Sequence, residues 1–273
     1  MNAVLNHINE QNAADAFSGQ APIFDDLYGD DTIISYKRAR VRRHVLNHLA
    51  PGGAILELNC GTGEDAIYFA GKGHKVHATD VSGGMLYQLV QKVGAHKMNK
   101  KISFELCSYT SLSELKNKGP YDLIFSNFAG LNCTGELDKV LASFSPLLNP
   151  GGLVTLVILP KFCLWETLLL FKGKFRTAFR RFFSSRGRKA RVEGTYFKCW
   201  YYNPSYITRR LKKEFDLVST EGLCTIVPPS YIVGFAEKYP SAYRFLKKWE
   251  NRLKTKWPWR VIGDYYIISM RKR

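Results

Sequence analysis

The sequence predicts a layered α/β fold built on one doubly wound, mostly parallel sheet. Three observations support this prediction. Short apolar runs typical of buried strands recur along the chain, stretches of helical periodicity separate them, and a glycine turn or an acidic residue follows the first two runs. Parallel strands joined by helices give the layered α/β class, whose ligands bind outside the carboxyl ends of the strands.

The first of these strands belongs to residues 55–66, which combine a buried strand, a glycine turn and the start of a helix. Gly61 and Gly63 allow the backbone to turn sharply and to approach a ligand closely. The N–H groups at the start of the helix can then face that ligand. A second predicted strand, residues 76–80, ends in Asp80, which is placed to accept the hydroxyls of a ribose. This arrangement predicts a nucleoside pocket.

The glycine loop alone leaves two interpretations open. Gly61-x-Gly63-x-x-Ala66 also fits the dinucleotide-binding pattern, which would indicate a nicotinamide or flavin enzyme. Two later features separate the interpretations. Residues 121–128 have the pattern of an apolar strand with a polar exit, and an Asn-Pro-Gly-Gly turn at residues 149–152 leads into a fifth strand.

With these segments in this order, the chain resembles the class I S-adenosylmethionine-dependent methyltransferases of the small-molecule type. The resemblance covers about residues 53–159, with a third strand at 102–106 and a fifth at 153–159, and a closing strand is expected at 264–270. It implies a Rossmann-like sheet, mostly parallel with an antiparallel last strand. It also implies S-adenosyl-L-methionine as the cofactor.

The resemblance further implies a set of cofactor-binding residues near the carboxyl ends of the strands: Glu57, Asn59, Gly61, Gly63, Asp80, Val81, Met85, Ser108 and Asn127. Glu57 matches the acid that helps to order the loop and the methionine end of the cofactor. Asp80 matches the acid that binds the ribose, and Val81 and Met85 would flank the adenine.

The segment after the third strand departs from the family pattern. The family commonly places there an acid that binds the adenine amino group, whereas this chain has Cys107-Ser108-Tyr109-Thr110. Ser108 is therefore expected to supply a weaker contact, or main-chain groups to hold the adenine. Asn127, at the end of the fourth strand, would lie where the methyl group faces the acceptor.

We expect one methyltransferase domain over residues 1–273. Residues 1–52 form an N-terminal helical cap, residues 53–159 the cofactor-binding core, and residues 160–202 a basic, aromatic lid inserted after the fifth strand. Residues 203–273 complete the sheet and supply substrate-side loops. Six cysteines are scattered without a C-x-x-C pair, so neither a metal site nor a disulfide framework is expected.

The positive charge lies almost wholly in the second half of the chain. Residues 1–150 have a net charge of −1 and residues 151–273 a net charge of +18. Within the insertion, residues 172–191 contain nine basic residues and no acid. One helical stripe of apolar side chains is expected there: Leu164, Leu168, Phe171, Phe175, Phe179 and Phe182. A substrate lid, a helix on an anionic membrane surface and an ordinary solvated helix all fit this pattern.

The predicted function is methyl transfer to a small hydrophobic or aromatic acceptor of the lipid, quinone or polyene type, free or bound to an acidic carrier protein. An RNA methyltransferase is less favoured, because the base-holding tetrapeptide is missing after the fourth strand. A non-catalytic cofactor-binding or membrane-docking module is the other alternative. Residues 1–20 lack the apolar stretch of a signal peptide, so a cytoplasmic protein is expected, with peripheral membrane attachment as the alternative.

No residue stands out as a general base. The candidates are the acidic and phenolic side chains in segments expected to cover the pocket: Asp25, Tyr28, Tyr36, Tyr201 and Tyr202. The sequence leaves the acceptor atom and the oligomeric state open.

Overall fold

A single seven-stranded sheet organises the computed structural model, which describes residues 2–273, and their side chains from residue 6 onward. The first half contains α1 (Asn2–Gln20), α2 (Phe24–Tyr28), α3 (Thr32–Leu46), β1 (Ala54–Leu58), α4 (Glu64–Gly71), β2 (Lys75–Asp80), α5 (Gly83–Ala95), β3 (Ile102–Leu106), β4 (Tyr121–Ser126), α6 (Leu137–Ala142) and β5 (Leu148–Ile158). The second half contains α7 (Leu164–Leu168), α8 (Phe175–Ala178), β6 (Arg188–Val192), β7 (Thr195–Cys199), α9 (Pro204–Leu211), β8 (Phe215–Leu223), α10 (Phe235–Lys238), α11 (Pro240–Leu253) and β9 (Tyr265–Lys272).

The strands follow the order β3-β2-β1-β4-β5-β9-β8. The pairs from β3 to β5 are parallel, and β9 runs antiparallel to both β5 and β8. This confirms the predicted Rossmann-like sheet with an antiparallel last strand. The carboxyl ends of β1, β2 and β4 therefore meet at one edge of the sheet, where a ligand site is expected.

Both faces of the central strands are buried, as parallel sheets require. Along β1, Ile55 packs into one apolar layer with Val76 of β2, whereas Leu56 and Leu58 pack into the opposite layer with Ile124 of β4. Alternate side chains of a strand point to opposite faces, so one short run supplies both layers. The edge that carries the glycine loop is thereby held rigidly.

The insertion after β5 is helical in its first half only. α7 continues into a 3-10 turn that ends at Gly173, whose φ of +69° breaks the expected stripe, and α8 is a single turn. β6 and β7 then form a separate antiparallel hairpin. Its two-residue loop, Glu193-Gly194, has positive φ at both positions, as a type I′ turn requires. The expectation of one continuous helical stripe was therefore wrong.

Two helix starts differ in how they are capped. Ser82 caps α5 by accepting a hydrogen bond from the N–H of Met85. Pro204 occupies the first turn of α9, but the side chain of Asn203 accepts from the N–H of Lys161 instead of capping that helix. All six cysteines are free. Within residues 2–273, none of the helices combines the length and the apolar character needed to cross a bilayer.

Candidate cofactor site

A cavity of about 140 Å³ lies at the carboxyl ends of β1, β2 and β4. Seven of the nine predicted cofactor residues line it: Glu57, Asn59, Gly61, Asp80, Val81, Met85 and Asn127. Ala13, Ala14 and Phe17 of α1 close it from above. The sheet edge and the N-terminal helices together form the site.

The glycine loop bends around the amino end of α4. Gly61 and Gly63 have φ values of +56° and +83°, a region that side chains disfavour. A Cβ at Gly63 would lie 2.0 Å from Cδ1 of Leu89, so this glycine is also required by packing. Gly63 supports the loop from behind and does not line the cavity.

Asp80 joins the second strand to this loop. One carboxylate oxygen accepts from the N–H of Gly61 at 2.8 Å, and the other accepts from the N–H of Ser82 at 2.9 Å. Burial raises the pKa of Asp80, and these N–H groups partly oppose the rise. Asp80 therefore fixes the loop and still lies on the cavity wall.

Glu57 brings a buried carboxyl group to the floor of the cavity. The residue is 3% exposed, and among the described residues no donor reaches its Oε2 atom. Burial raises the pKa of Glu57 well above its usual range, and nearby Asp65 raises it further. A buried acceptor without a partner is costly, so a cationic or hydrogen-bond-donating ligand group would stabilise this wall.

Asn127 belongs to a hydrogen-bonded group between the loop and α3. Its Nδ2 donates to Asp65 at 2.7 Å, and Asp65 also accepts from Nε of Arg42 at 2.6 Å. The main-chain oxygen of Asn127 accepts a hydrogen bond from Nδ2 of Asn59. Phe128 follows at a positive φ of +47°, which turns the chain along the cavity. Asn127 thus positions Asp65 on the cavity wall.

Ser108 does not line the cavity. Its hydroxyl donates to Oε2 of Glu10 at 2.7 Å, and the hydroxyl of Thr110 donates to the same oxygen at 2.9 Å. Glu10 is 6% exposed, and no donor among the described residues reaches its Oε1 atom. The neighbouring Tyr109 does line the cavity. The hydroxyl of Ser108 is therefore engaged by the carboxyl group of Glu10 and does not face the cavity.

Glu10 is the residue that sequence reasoning missed. It lies on the same face of α1 as the cavity-lining Ala13, Ala14 and Phe17, because residues three, four and seven positions apart share a helix face. Glu10 itself is not among the cavity-lining residues, but its partners Ser108 and Thr110 flank Tyr109, which does line the cavity. The spacing of Glu10 relative to Ala13, Ala14 and Phe17 was the available signal, but nothing local linked α1 to β3.

The five candidate general bases fall into two groups. Asp25 and Tyr28 line a second, adjoining cavity that shares Phe24, Arg38 and Glu64 with the first. There Asp25 accepts from the hydroxyl of Thr62 and pairs with Lys92. These two residues border the entrance to the site.

The three remaining tyrosines line neither cavity. The hydroxyl of Tyr36 donates to Glu250, and that of Tyr202 donates to the main-chain oxygen of Thr134. Tyr201 is buried beneath the guanidinium of Arg181. The structure does not bring these phenols to the cofactor cavity, although their segments were expected to cover it.

Among residues 2–273, one group of ligand-type side chains could be considered for a metal ion: Cys163, Glu166 and Asp264. Both carboxylates pair with Arg181, and Glu166 also pairs with Arg180. These arginines occupy the positions that a cation would need. The group is therefore a buried ion-pair network.

The cavity fits S-adenosyl-L-methionine in its chemistry. Asp80 and the glycine loop suit a ribose, and the unpartnered atom of Glu57 suits the cationic methionine end. Met85 and Val81 supply apolar wall beside Asp80.

Comparison with known proteins agrees with this geometry. The family model of a methyltransferase domain matches residues 55–152. The chain is 31% identical over 140 residues to a demethylmenaquinone methyltransferase of Bacteroides fragilis, covering 50% of this chain and 55% of that protein. The chain spans 55–59% of the length of the curated relatives it matches.

Solved structures share the fold over nearly the whole chain. A [4+2]-cyclase, SpnF, is 15% identical with a TM-score of 0.62, covering 97% of each chain. A 1,6-didemethyltoxoflavin-N1-methyltransferase of Burkholderia thailandensis, with bound 1,6-didemethyltoxoflavin and S-adenosylhomocysteine, is 15% identical with a TM-score of 0.56. The match covers 98% of this chain and 90% of that one. Likeness at this level shows the fold, and the family model assigns a methyltransferase domain to residues 55–152 of this chain.

Proposed function

We propose that the chain transfers a methyl group from S-adenosyl-L-methionine to a small hydrophobic or aromatic acceptor. The observation that carries this proposal is the composition of the cavity wall beyond the nucleoside end. Phe24 and Phe128 face the cavity there, with Arg38 beside them, and the guanidinium of Arg38 lies 5.0 Å from the ring of Phe128. Such a wall suits a planar or apolar molecule with a polar edge.

The cofactor, when bound, supplies an electrophilic methyl group on a positively charged sulfur. The protein's own contribution is then to orient the acceptor and to exclude water. α1 covers the cavity, and α2 contributes Phe24 to its wall. Asp25 and Tyr28 at the entrance stay the candidates for proton removal, since the other three phenols lie elsewhere.

The acceptor class is supported by one relative, which is a demethylmenaquinone methyltransferase. A quinone-like acceptor would combine an aromatic head with an apolar tail. Polyene and lipid acceptors share that combination. For partners, the basic residues 172–191 suit an anionic membrane or an acidic carrier protein. RNA is a less favoured partner, because a basic surface alone does not distinguish RNA from other anionic partners.

Transfer of a labelled methyl group tests the proposal. The protein is incubated with labelled cofactor and with extract separated into lipid, protein and nucleic acid fractions, followed by purified quinol and polyene acceptors. Label in the lipid fraction supports the proposal, and Asp80→Ala should abolish it. Lys118→Glu, a change at an exposed position, serves as the matched control. Label only in nucleic acid would overturn the proposal.

A calorimetric titration with the cofactor separates the remaining alternative. A chain that binds the cofactor but labels no fraction is a non-catalytic module. That result would contradict methyl transfer and leave the cofactor site intact.

A further inference from the structure

Exposed phenylalanines mark the insertion after β5. Phe171 is 89% exposed, Phe175 63% and Phe183 69%. Phe162, Phe179 and Phe182 pack on one another, with ring centroids 5.8 and 6.1 Å apart, so only part of the aromatic content is used internally. A lid packed wholly on the core would bury these rings. Their exposure indicates a surface that meets an apolar environment.

A second apolar segment adjoins this one. Leu164 and Trp165 at the start of the insertion form an open groove with Phe245, Trp249 and Trp259, from α11 and the segment after it. The indole N–H of Trp165 donates to the main-chain oxygen of Thr225, which fixes the insertion against this part of the chain. The groove joins the start of the insertion to α11, and residues 164–183 and 240–260 are together called here the basic aromatic surface.

The exposed charge of this surface is positive. Residues 164–183 contain five basic residues and one acid, and residues 240–260 contain seven basic residues and one acid. Both acids, Glu166 and Glu250, are buried and paired with arginines. Lys172, Lys174 and Arg176 are exposed between Phe171 and Phe179. Cationic groups therefore alternate with exposed rings.

We propose that the basic aromatic surface docks on an anionic phospholipid bilayer. Its phenylalanine and tryptophan rings would enter the interfacial layer, while lysine and arginine contact lipid phosphates. Electrostatic attraction and burial of the rings act together, whereas neither is sufficient for stable attachment by itself. This inference goes beyond the proposed methyl transfer and does not depend on it. A bilayer is favoured over an acidic protein because the exposed rings are spread over separate segments of the surface.

Vesicle flotation with the full chain tests the proposal. Vesicles of phosphatidylcholine alone are compared with vesicles containing roughly one third phosphatidylglycerol, at low and high salt. The unmodified chain should float with the anionic vesicles and stay in solution with the neutral ones. The triple change Phe171→Ser, Phe175→Ser, Phe183→Ser should reduce partitioning about tenfold or more. The change Lys172→Glu, Lys174→Glu, Arg176→Glu should have a similar effect.

Matched controls come from the neutral half of the chain. Tyr87, Phe104 and Leu106 are also exposed, so changing them to serine removes similar apolar area elsewhere. Lys100→Glu, Lys116→Glu, Lys118→Glu is the corresponding charge control. Both controls should float like the unmodified chain. Thermal unfolding of all variants verifies that they are folded.

Two outcomes overturn the proposal. In the first, the phenylalanine variant binds anionic vesicles with the same affinity as the unmodified chain. The rings would then make no contribution, and the binding would be purely electrostatic. In the second, the chain ignores vesicles but binds single-stranded RNA at the same salt, and the phenylalanine variant loses that binding. Exposed rings would then serve to stack bases.

Discussion

Ser108 donates a hydrogen bond of 2.7 Å to Glu10, which lies 98 residues earlier in the chain. This bond ties α1 to the segment after β3, next to Tyr109, which lines the cavity. The N-terminal helix, which covers the site through Ala13, Ala14 and Phe17, is therefore held in place by a buried polar contact.

Glu10→Gln should weaken cofactor binding roughly 5- to 150-fold, because an unpaired buried hydrogen-bonding group costs about 1–3 kcal/mol. The amide keeps an acceptor for Ser108 and Thr110 but removes the second carboxylate oxygen. Titration calorimetry with S-adenosylhomocysteine measures the loss. Asp15→Asn, an exposed acid on the same helix, should bind normally.

A hypoxanthine analogue of the product sharpens this test, since it has an oxygen where adenine has an amino group. The unmodified chain should reject the analogue, and Glu10→Gln should accept it more readily, because the amide can donate. Equal discrimination by both proteins would place Glu10 outside the adenine contact.

Gly61→Ala and Gly63→Ala should destabilise the ligand-free protein to different extents. Both positions have positive φ, which costs a side chain about 1–2 kcal/mol. Only Gly63 also packs against Leu89. Its substitution should therefore lower the free energy of unfolding by a further ~1–3 kcal/mol through overpacking. Denaturant unfolding without ligand measures both. An equal or larger loss for Gly61→Ala would contradict the packing argument.

Glu221 should contribute stability that disappears in acid. Burial raises the pKa of Glu221, but hydrogen bonds from His44 and Lys254 outweigh it and hold the pKa well below its usual range. A depressed folded-state pKa means that the stabilisation is complete above the unfolded value of about 4.3 and is lost as the pH falls below it.

The measurement compares Glu221→Gln with the unmodified chain across pH. At pH 7 the variant should be about 1–3 kcal/mol less stable, because charged partners lose their acceptor. The difference should shrink steadily below about pH 4. The exposed Glu214→Gln serves as control. A difference independent of pH would show that charge is not the cause.

Asn127→Asp should be more damaging at neutral pH than Asn127→Ala. The aspartate would place a second carboxylate beside Asp65, where the amide now donates at 2.7 Å. Like charges at this distance repel, so stability should recover as the pH is lowered. Alanine only removes the donor, and its effect should vary less with pH. Denaturant unfolding of both variants at two pH values distinguishes the two effects.

The core of the site could be predicted because its determinants are local. Gly61, Gly63 and Asp80 lie within one strand-turn-helix-strand unit, and each residue type is required by backbone geometry or by the acceptor it supplies. The register of β1 and β2 then follows from their apolar runs. Sequence order alone was enough to place these residues together.

The remaining features depend on contacts between distant segments. Glu10 is recognised only after α1 docks on Ser108, and no periodicity predicts that docking. Tyr36 and Tyr202 look available in the sequence, but Glu250 and the Thr134 carbonyl take their hydroxyls. In the insertion, apolar spacing favoured one helix, whereas Gly173 and the Glu193-Gly194 turn divide it.

The placement of β9 between β5 and β8 also affects the order of folding. β8 has only β9 as its hydrogen-bonded neighbour in the sheet, yet α10 and α11 are synthesised between the two strands. As the chain leaves the ribosome, β8 must wait until α10, α11 and β9 have been synthesised before it can join the sheet. The parallel strands β1 to β5 can pair earlier, so the nucleoside end of the site can form before the surface that we propose to meet the bilayer.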